Sequence, residues 1–298
     1  KPQFSFNKRK LSILLQKIAM LGIVSITYIG SLWIFNIENL SKIISMPFVG
    51  ALSTIVGGVF ALMVARYRQY RDLDKGSMFC CGYFSNTVTL GGMICFFYLG
   101  EEGYALIPIF TFFVRILYYG LGYPIAHMYS ESFVKQKEIT QRIIQVIKDP
   151  FFYVGLGSIM VGVLLNISSW QRPEVYGIVN AILIPINTFI LLFSIGLSLK
   201  LRSVFCYIKS CLYITIIKFI AVPLSILLIA IMLDYQHINN GVPLKVAVIL
   251  SAMPVAFNSI IAANIYRLNV DLVNSCWLFT TFGLLLFLPL LLTFLNLF

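Results

Sequence analysis

Asn86 and Asn258 are polar side chains in long apolar stretches, and each stands beside a residue that interrupts a helix. Asn258 falls in Ser251-Ala252-Met253-Pro254-Val255-Ala256-Phe257-Asn258-Ser259, within an apolar segment running from about 245 to 266. Pro254 has no backbone N–H, and its ring clashes with the carbonyl one turn earlier, so a helix kinks or breaks there. In hydrocarbon the released backbone groups still need partners, which only neighbouring protein or a polar cavity supplies. Asn258, one turn on, brings both an acceptor and a donor to that point. Asn86 falls in Cys81-Gly82-Tyr83-Phe84-Ser85-Asn86-Thr87-Val88-Thr89-Leu90-Gly91-Gly92, within the apolar segment 77–99. Here glycines take the place of the proline, weakening the helix and letting another backbone approach closely. One such segment is equally a packed kink with a satisfied amide. Two at corresponding places describe the substrate site of a broken-helix carrier.

Three basic residues lie inside apolar segments: Lys17, Arg115 and Lys218. Lys17 is within two turns of a segment end and can snorkel to the interface. Arg115 and Lys218 sit near segment centres, where an ionisable group costs at least about 2.5–3.5 kcal/mol and therefore faces a cavity or a partner. Two roles are open to each: holding carbonyls released by a broken helix, or holding an anionic substrate. The planar fork of Arg115 suits a carboxylate. No Asp or Glu stands mid-segment, since Glu101, Glu102, Asp234 and Asp271 all fall at ends or in loops. That removes the usual intramembrane proton carrier and points to an anionic substrate, which a negative-inside potential would expel by about 2.3 kcal/mol per charge per 100 mV. Uniport-like or weakly coupled movement follows. Coupling to Na+ held by carbonyls and asparagine side chains, or to H+, stays open, and no cofactor is expected.

The elements that must position these residues are legible in the composition. Of 298 residues, 59% are hydrophobic and 11% charged, and apolar runs of 18 or more residues recur along the whole chain, which makes it a polytopic helical membrane protein. Nine spans are expected, at about 11–34, 43–66, 77–99, 104–128, 150–168, 175–199, 205–233, 244–266 and 271–297. Three of the 22 Lys and Arg residues lie in spans, and only Lys42, Arg172 and Lys245 fall on one side. The remaining sixteen fall on the other, so the N-terminus is expected to be cytoplasmic and the C-terminus outside a plasma (cell inner) membrane. The net charge of +11 is thus a topology signal, with no nucleic acid implied. Residues 130–149 alternate apolar and basic side chains at helical spacing, as a helix lying on the membrane surface would.

Function classes can be excluded on similar grounds. There is no Walker loop, HExxH or dinucleotide fingerprint, and no nucleophile–base pair, so no enzyme is expected. His127 and His237 are too few for a haem or zinc site. The six cysteines lack ligand spacing and read as small packing residues. Two glycosylation sequons, at Asn39 and Asn166, hug the membrane and read as chance.

If spans 1–4 and 6–9 are related units, the single fifth span inverts the second relative to the first. Asn86 and Asn258 then occupy the third span of each unit, and Tyr28-Ile29-Gly30-Ser31-Leu32 echoes Ser194-Ile195-Gly196-Leu197-Ser198-Leu199. This is the pattern of an inverted-repeat carrier whose interrupted helices cross near the bilayer midplane. The units are residues 1–128 and 150–298, joined by a linker at 129–149.

With these residues in view, the chain resembles the auxin efflux carrier family of permeases, within the bile-acid/sodium symporter-like fold. The carrying residues are Gly82-Tyr83-Phe84-Ser85-Asn86-Thr87, Gly91 and Leu99-Gly100-Glu101-Glu102-Gly103, then Phe193–Leu199 and Ser251–Ser259 with Ala262 and Tyr266. The likeness runs from about residue 43 to the end. It implies a ten-helix fold of two inverted repeats whose fourth and ninth helices are broken and cross at the substrate site, with small organic anions as substrates and a homodimeric assembly. Two departures stand out. The family's first helix has no counterpart before Leu11, which leaves open a nine-span member or a first helix lying outside this sequence. Leu90-Gly91-Gly92 also stands where the family more often has Gly-x-Pro.

The sequence therefore describes an all-α, nine-helix inverted repeat with two broken crossing helices, the ten-helix family fold without its first helix. Its candidate binding residues are Asn86, Gly91, Gly92, Pro254 and Asn258 at the crossing, with Arg115 as anion anchor and Lys218 in a binding or supporting role. Its expected function is export or exchange of a small organic anion by alternating access. The alternatives are a non-transporting ligand-sensing receptor or scaffold, and a sodium-coupled symporter.

Overall fold

The computed structural model describes residues 8–35, 43–130, 150–168, 170–196 and 204–298. These are helical almost throughout, with no strand among them. The helices follow the apolar segments: α1 (8–34), α2 (Met46–Tyr67), α3 (Asp72–Tyr83), α4 (87–99), α5 (101–128), α6 (Pro150–Ile167), α7 (Val175–Gly196), α8 (208–232), α9 (Val242–Ser251), α10 (Phe257–Ile265) and α11 (Val270–Leu295). Single π turns interrupt α1, α5 and α8 at Ile18–Ile23, Tyr118–Gly122 and Ile217–Ala221. All of the expected surface helix except Ser130 lies outside the described residues.

Six described stretches are long and apolar enough to cross a membrane, against the nine segments expected: 14–34, 46–67, 87–128, 175–194, 208–232 and 270–295. The chain is an integral membrane protein. The difference in number has physical causes. The segments at 77–99 and 244–266 are interrupted, so neither contains one long helix. The helix Tyr153–Ile167 is apolar but short. The stretch 87–128, at 42 residues, would span about 63 Å as one helix, twice the hydrocarbon thickness. It does not run straight. Gly100 takes φ 68° and ψ −158°, a conformation that favours glycine, and the chain reverses there. Gly92 consequently faces Tyr104 and Ile107, and the Phe96 and Tyr104 rings lie 6.2 Å apart. Residues eight apart in a straight helix would be about 12 Å distant.

Small residues allow the helices to close on one another. A Cβ on Gly57 of α2 would run into the Gly82 carbonyl of α3, and one on Gly82 into that of Gly57. Gly162 of α6 packs against Ile29 and Leu32 of α1, and α1 also lies along α7. Asn166 donates to the carbonyls of Leu32, Trp33 and Phe35 at 2.6–2.8 Å, satisfying the C-terminal end of α1. Its amide is used as a cap. Near that end Arg172 pairs with Glu101 at 2.6 Å and donates to Gly30 O at 3.0 Å, while Asn180 donates to both Ser31 Oγ and Glu101 Oε1. The outward faces are apolar: Phe282, Leu285, Leu286 and Leu290 of α11 are exposed while Leu284 and Leu291 are buried, the arrangement a lipid solvent selects. All six cysteines are free thiols, five of them buried.

Candidate functional site

The two interruptions meet. Helix α3 ends at Tyr83, Phe84 is extended (φ −86°, ψ 123°), and α4 begins with a π turn at Thr87–Gly91. Helix α9 ends at Ser251, and α10 resumes at Phe257 after the extended Ala256 (φ −82°, ψ 158°). Between them Ser85 and Val255 form an isolated antiparallel bridge. The N–H of Asn86 donates to Pro254 O at 2.9 Å, and that of Ala256 to Phe84 O at 3.1 Å. Each broken helix thus supplies partners for the backbone groups that the other's break has released, which is how irregular backbone survives inside a membrane protein. Gly91 makes the approach feasible, since a Cβ there would sit 2.7 Å from Leu250 Cδ2 and 3.0 Å from Met253 Cγ.

Side chains from three other helices hold the crossing. Tyr118 of α5 receives the Ser85 N–H at 3.0 Å and donates to Ser85 O at 3.2 Å. Thr280 of α11 receives the Val255 N–H at 3.2 Å, and Ser259 donates to Cys80 O at 2.9 Å. Lys218, 1% exposed in the π turn of α8, donates to Ser85 Oγ at 2.6 Å, Gly82 O at 2.7 Å and Phe84 O at 3.3 Å. Its ammonium therefore rests on the C-terminal end of α3, where helix carbonyls lack partners and the dipole is negative.

The sequence-selected residues divide accordingly. Asn86, Gly91 and Pro254 are brought together at the crossing. Gly92 turns toward Tyr104 of its own hairpin. Asn86 is 7% exposed, and its side-chain amide nitrogen has no hydrogen-bond partner among the described residues. Asn258 is half-buried in the first turn of α10, and its side chain likewise makes no hydrogen bond among the described residues. Arg115 is half-buried to one side, three residues before Tyr118, with its guanidinium against Gly155 of α6. It lies within Coulombic reach of the hydroxyls of Tyr28 and Tyr118. Lys218 is engaged with backbone.

Sequence reasoning passed over Tyr28, Tyr118, Asn187 and Thr280. The hydroxyl of Tyr28 and the carbonyl of Asn187 are buried without partners among the described residues, and Thr188, beside the latter, donates to Thr89 O at 3.3 Å. Tyr118 was within reach of sequence reasoning, since a residue three after Arg115 shares its helix face. Nothing local marks Thr280. Unpaired buried polar atoms are few in native proteins and call for a ligand, a water or a moving part. Here Asn86, Asn187 and Tyr28 lie on the crossing or on the helices beside it. Among the described residues no cluster of His, Cys, Asp or Glu is placed to hold a metal ion.

Along 274 residues the chain is 23% identical to a protein described as an uncharacterized transporter, from the archaeon Methanothermobacter thermautotrophicus. The match covers 87% of this chain and 81% of that protein, which is enough to include both interruptions. That description agrees with the absence of enzyme motifs from the sequence. No protein-family model matches the chain.

Proposed function

We propose that the chain is a membrane carrier that moves a small organic anion, such as a carboxylate, by alternating access. The observation that supports this most directly is the backbone bridge between Ser85 and Val255, with the buried amide nitrogen of Asn86 unpartnered among the described residues and Asn258 beside it. Two helices broken at one point create what an unbroken bundle lacks: polar groups at membrane depth that are not consumed by their own helices. Asn86 and Asn258 would hydrogen-bond the substrate, and Arg115 with Tyr28 would receive its charge. In this reading nine spans form two inverted units, residues 1–128 and 150–298. Their linker is 129–149, the N-terminus is cytoplasmic in the plasma membrane, and two copies pair. The resemblance to auxin efflux carriers supports the organic-anion class, and the likeness to a transporter supports movement over sensing.

The test is uptake into proteoliposomes under an imposed potential, across a panel of mono- and dicarboxylates. Saturable, potential-dependent flux is expected, falling at least tenfold (about 1.4 kcal/mol or more) in both Asn258→Ala and Arg115→Gln. Binding without flux would make the chain a sensor, and flux unchanged in both variants would move the site elsewhere.

A further inference from the structure

We infer that the three oxygens around Lys218 form a coordination site for a small monovalent cation, which the chain fills with its own tethered ammonium. Gly82 O, Phe84 O and Ser85 Oγ converge on Nζ at 2.6–3.3 Å, one acceptor for each of its three N–H donors. Two of the three are carbonyls at a broken helix end and the third is a hydroxyl. That is an all-oxygen set of the kind that binds hard cations. No carboxylate is hydrogen-bonded to the ammonium among the described residues. Its charge is balanced by backbone dipoles, as a bound alkali ion's would be. The π turn at Ile217–Ala221 directs the residue inward, and Gly57 lets α3 sit close enough for its carbonyls to be reached.

Because the site is filled by a side chain, it does not exchange with solution. The oxygens at the crossing are thereby partnered with no need of Na+ to occupy them. Deleting the side chain should open the shell to a free cation, with half-buried Ser85 as its mouth. This inference rests on the coordination at the crossing and not on what the chain transports, so its readout is stability rather than flux.

The experiment measures thermal unfolding of the purified chain in chloride salts of choline, Na+ and methylammonium at one ionic strength. Wild type is expected to unfold at the same temperature in all three. Lys218→Ala is expected to unfold several degrees lower in choline and to recover in methylammonium, in Na+ or in both. Its midpoint should rise with the logarithm of cation concentration, as binding to the folded state requires. Lys218→Met, whose side chain fills the space without charge, is expected to be destabilised and not to recover. Three results would each overturn the inference. They are a Lys218→Ala protein that responds equally to all three salts, a wild type whose midpoint depends on Na+, and a Lys218→Ala protein that cannot be obtained folded even in methylammonium and Na+.

Discussion

The two breaks meet at one point and solve the same physical problem by different means. At the first, no proline is present, and α3 stops with its carbonyls aimed at a buried ammonium on α8. At the second, Pro254 removes a donor at the break, so fewer groups need partners, and the neutral hydroxyl of Thr280 receives the N–H of Val255. One break is held by a basic side chain from another helix; the other combines a neutral hydroxyl from α11 with a proline of its own sequence. Only the bridge at Ser85 and Val255 is shared. The difference teaches that a helix can be broken by what it lacks or by what a neighbour offers, and the second route leaves little trace in the local sequence.

Four substitutions would break or sharpen that comparison. The largest effect is expected from Lys218→Met, which strands two carbonyls and a hydroxyl in an apolar interior. Loss of about 3–5 kcal/mol is expected, read from unfolding in detergent, because removing one partner leaves the others unpaired. A loss as small as that of a surface lysine would show that water reaches the first break. Next come Tyr118→Phe at the first break and Thr280→Val at the second, each removing one hydroxyl. Both should cost about 0.6–2 kcal/mol, with Tyr118→Phe the greater because Tyr118 both accepts from and donates to Ser85. The reverse order in the same unfolding assay would mean that the second break is the weaker. The smallest effect belongs to Pro254→Ala. The break there is also held by the bridge and Thr280, so only about 0.4–1 kcal/mol is expected, mainly from the freer unfolded chain. Hydrogen exchange at residues 252–257 checks it, with unchanged protection expected. A continuous, newly protected helix through 242–265 would show that proline alone makes the break.

Much of the architecture was readable because membrane spans obey a one-dimensional rule: apolar length against bilayer thickness. The interruptions near Gly82 and Gly91 and at Pro254, and the places of Asn86 and Asn258 beside them, followed from residue type and position. The count of long helices did not follow. It depends on whether an apolar segment runs unbroken, and the stretch 87–128 reverses at Gly100 through a dihedral choice in three-dimensional packing. The site was legible only in part, for a related reason. Arg115 and Lys218 look alike in sequence, both basic and mid-span. Lys218 is bound to carbonyls 134 and 136 residues away in the chain, while Arg115 lies on another wall beside Tyr28 and Gly155.

By itself, then, the sequence determined that this is a many-helix membrane protein, where its helices are interrupted, and which polar residues sit at the interruptions. Those are properties of local chemistry: transfer of apolar side chains, the missing N–H of proline, the missing Cβ of glycine. The tertiary structure decided which interruption faces which, that their backbones pair, and which buried cation serves the fold. Those are pairings across more than a hundred residues of chain. A hydrogen bond is short and directional, so only the packed positions of the helices choose its partner.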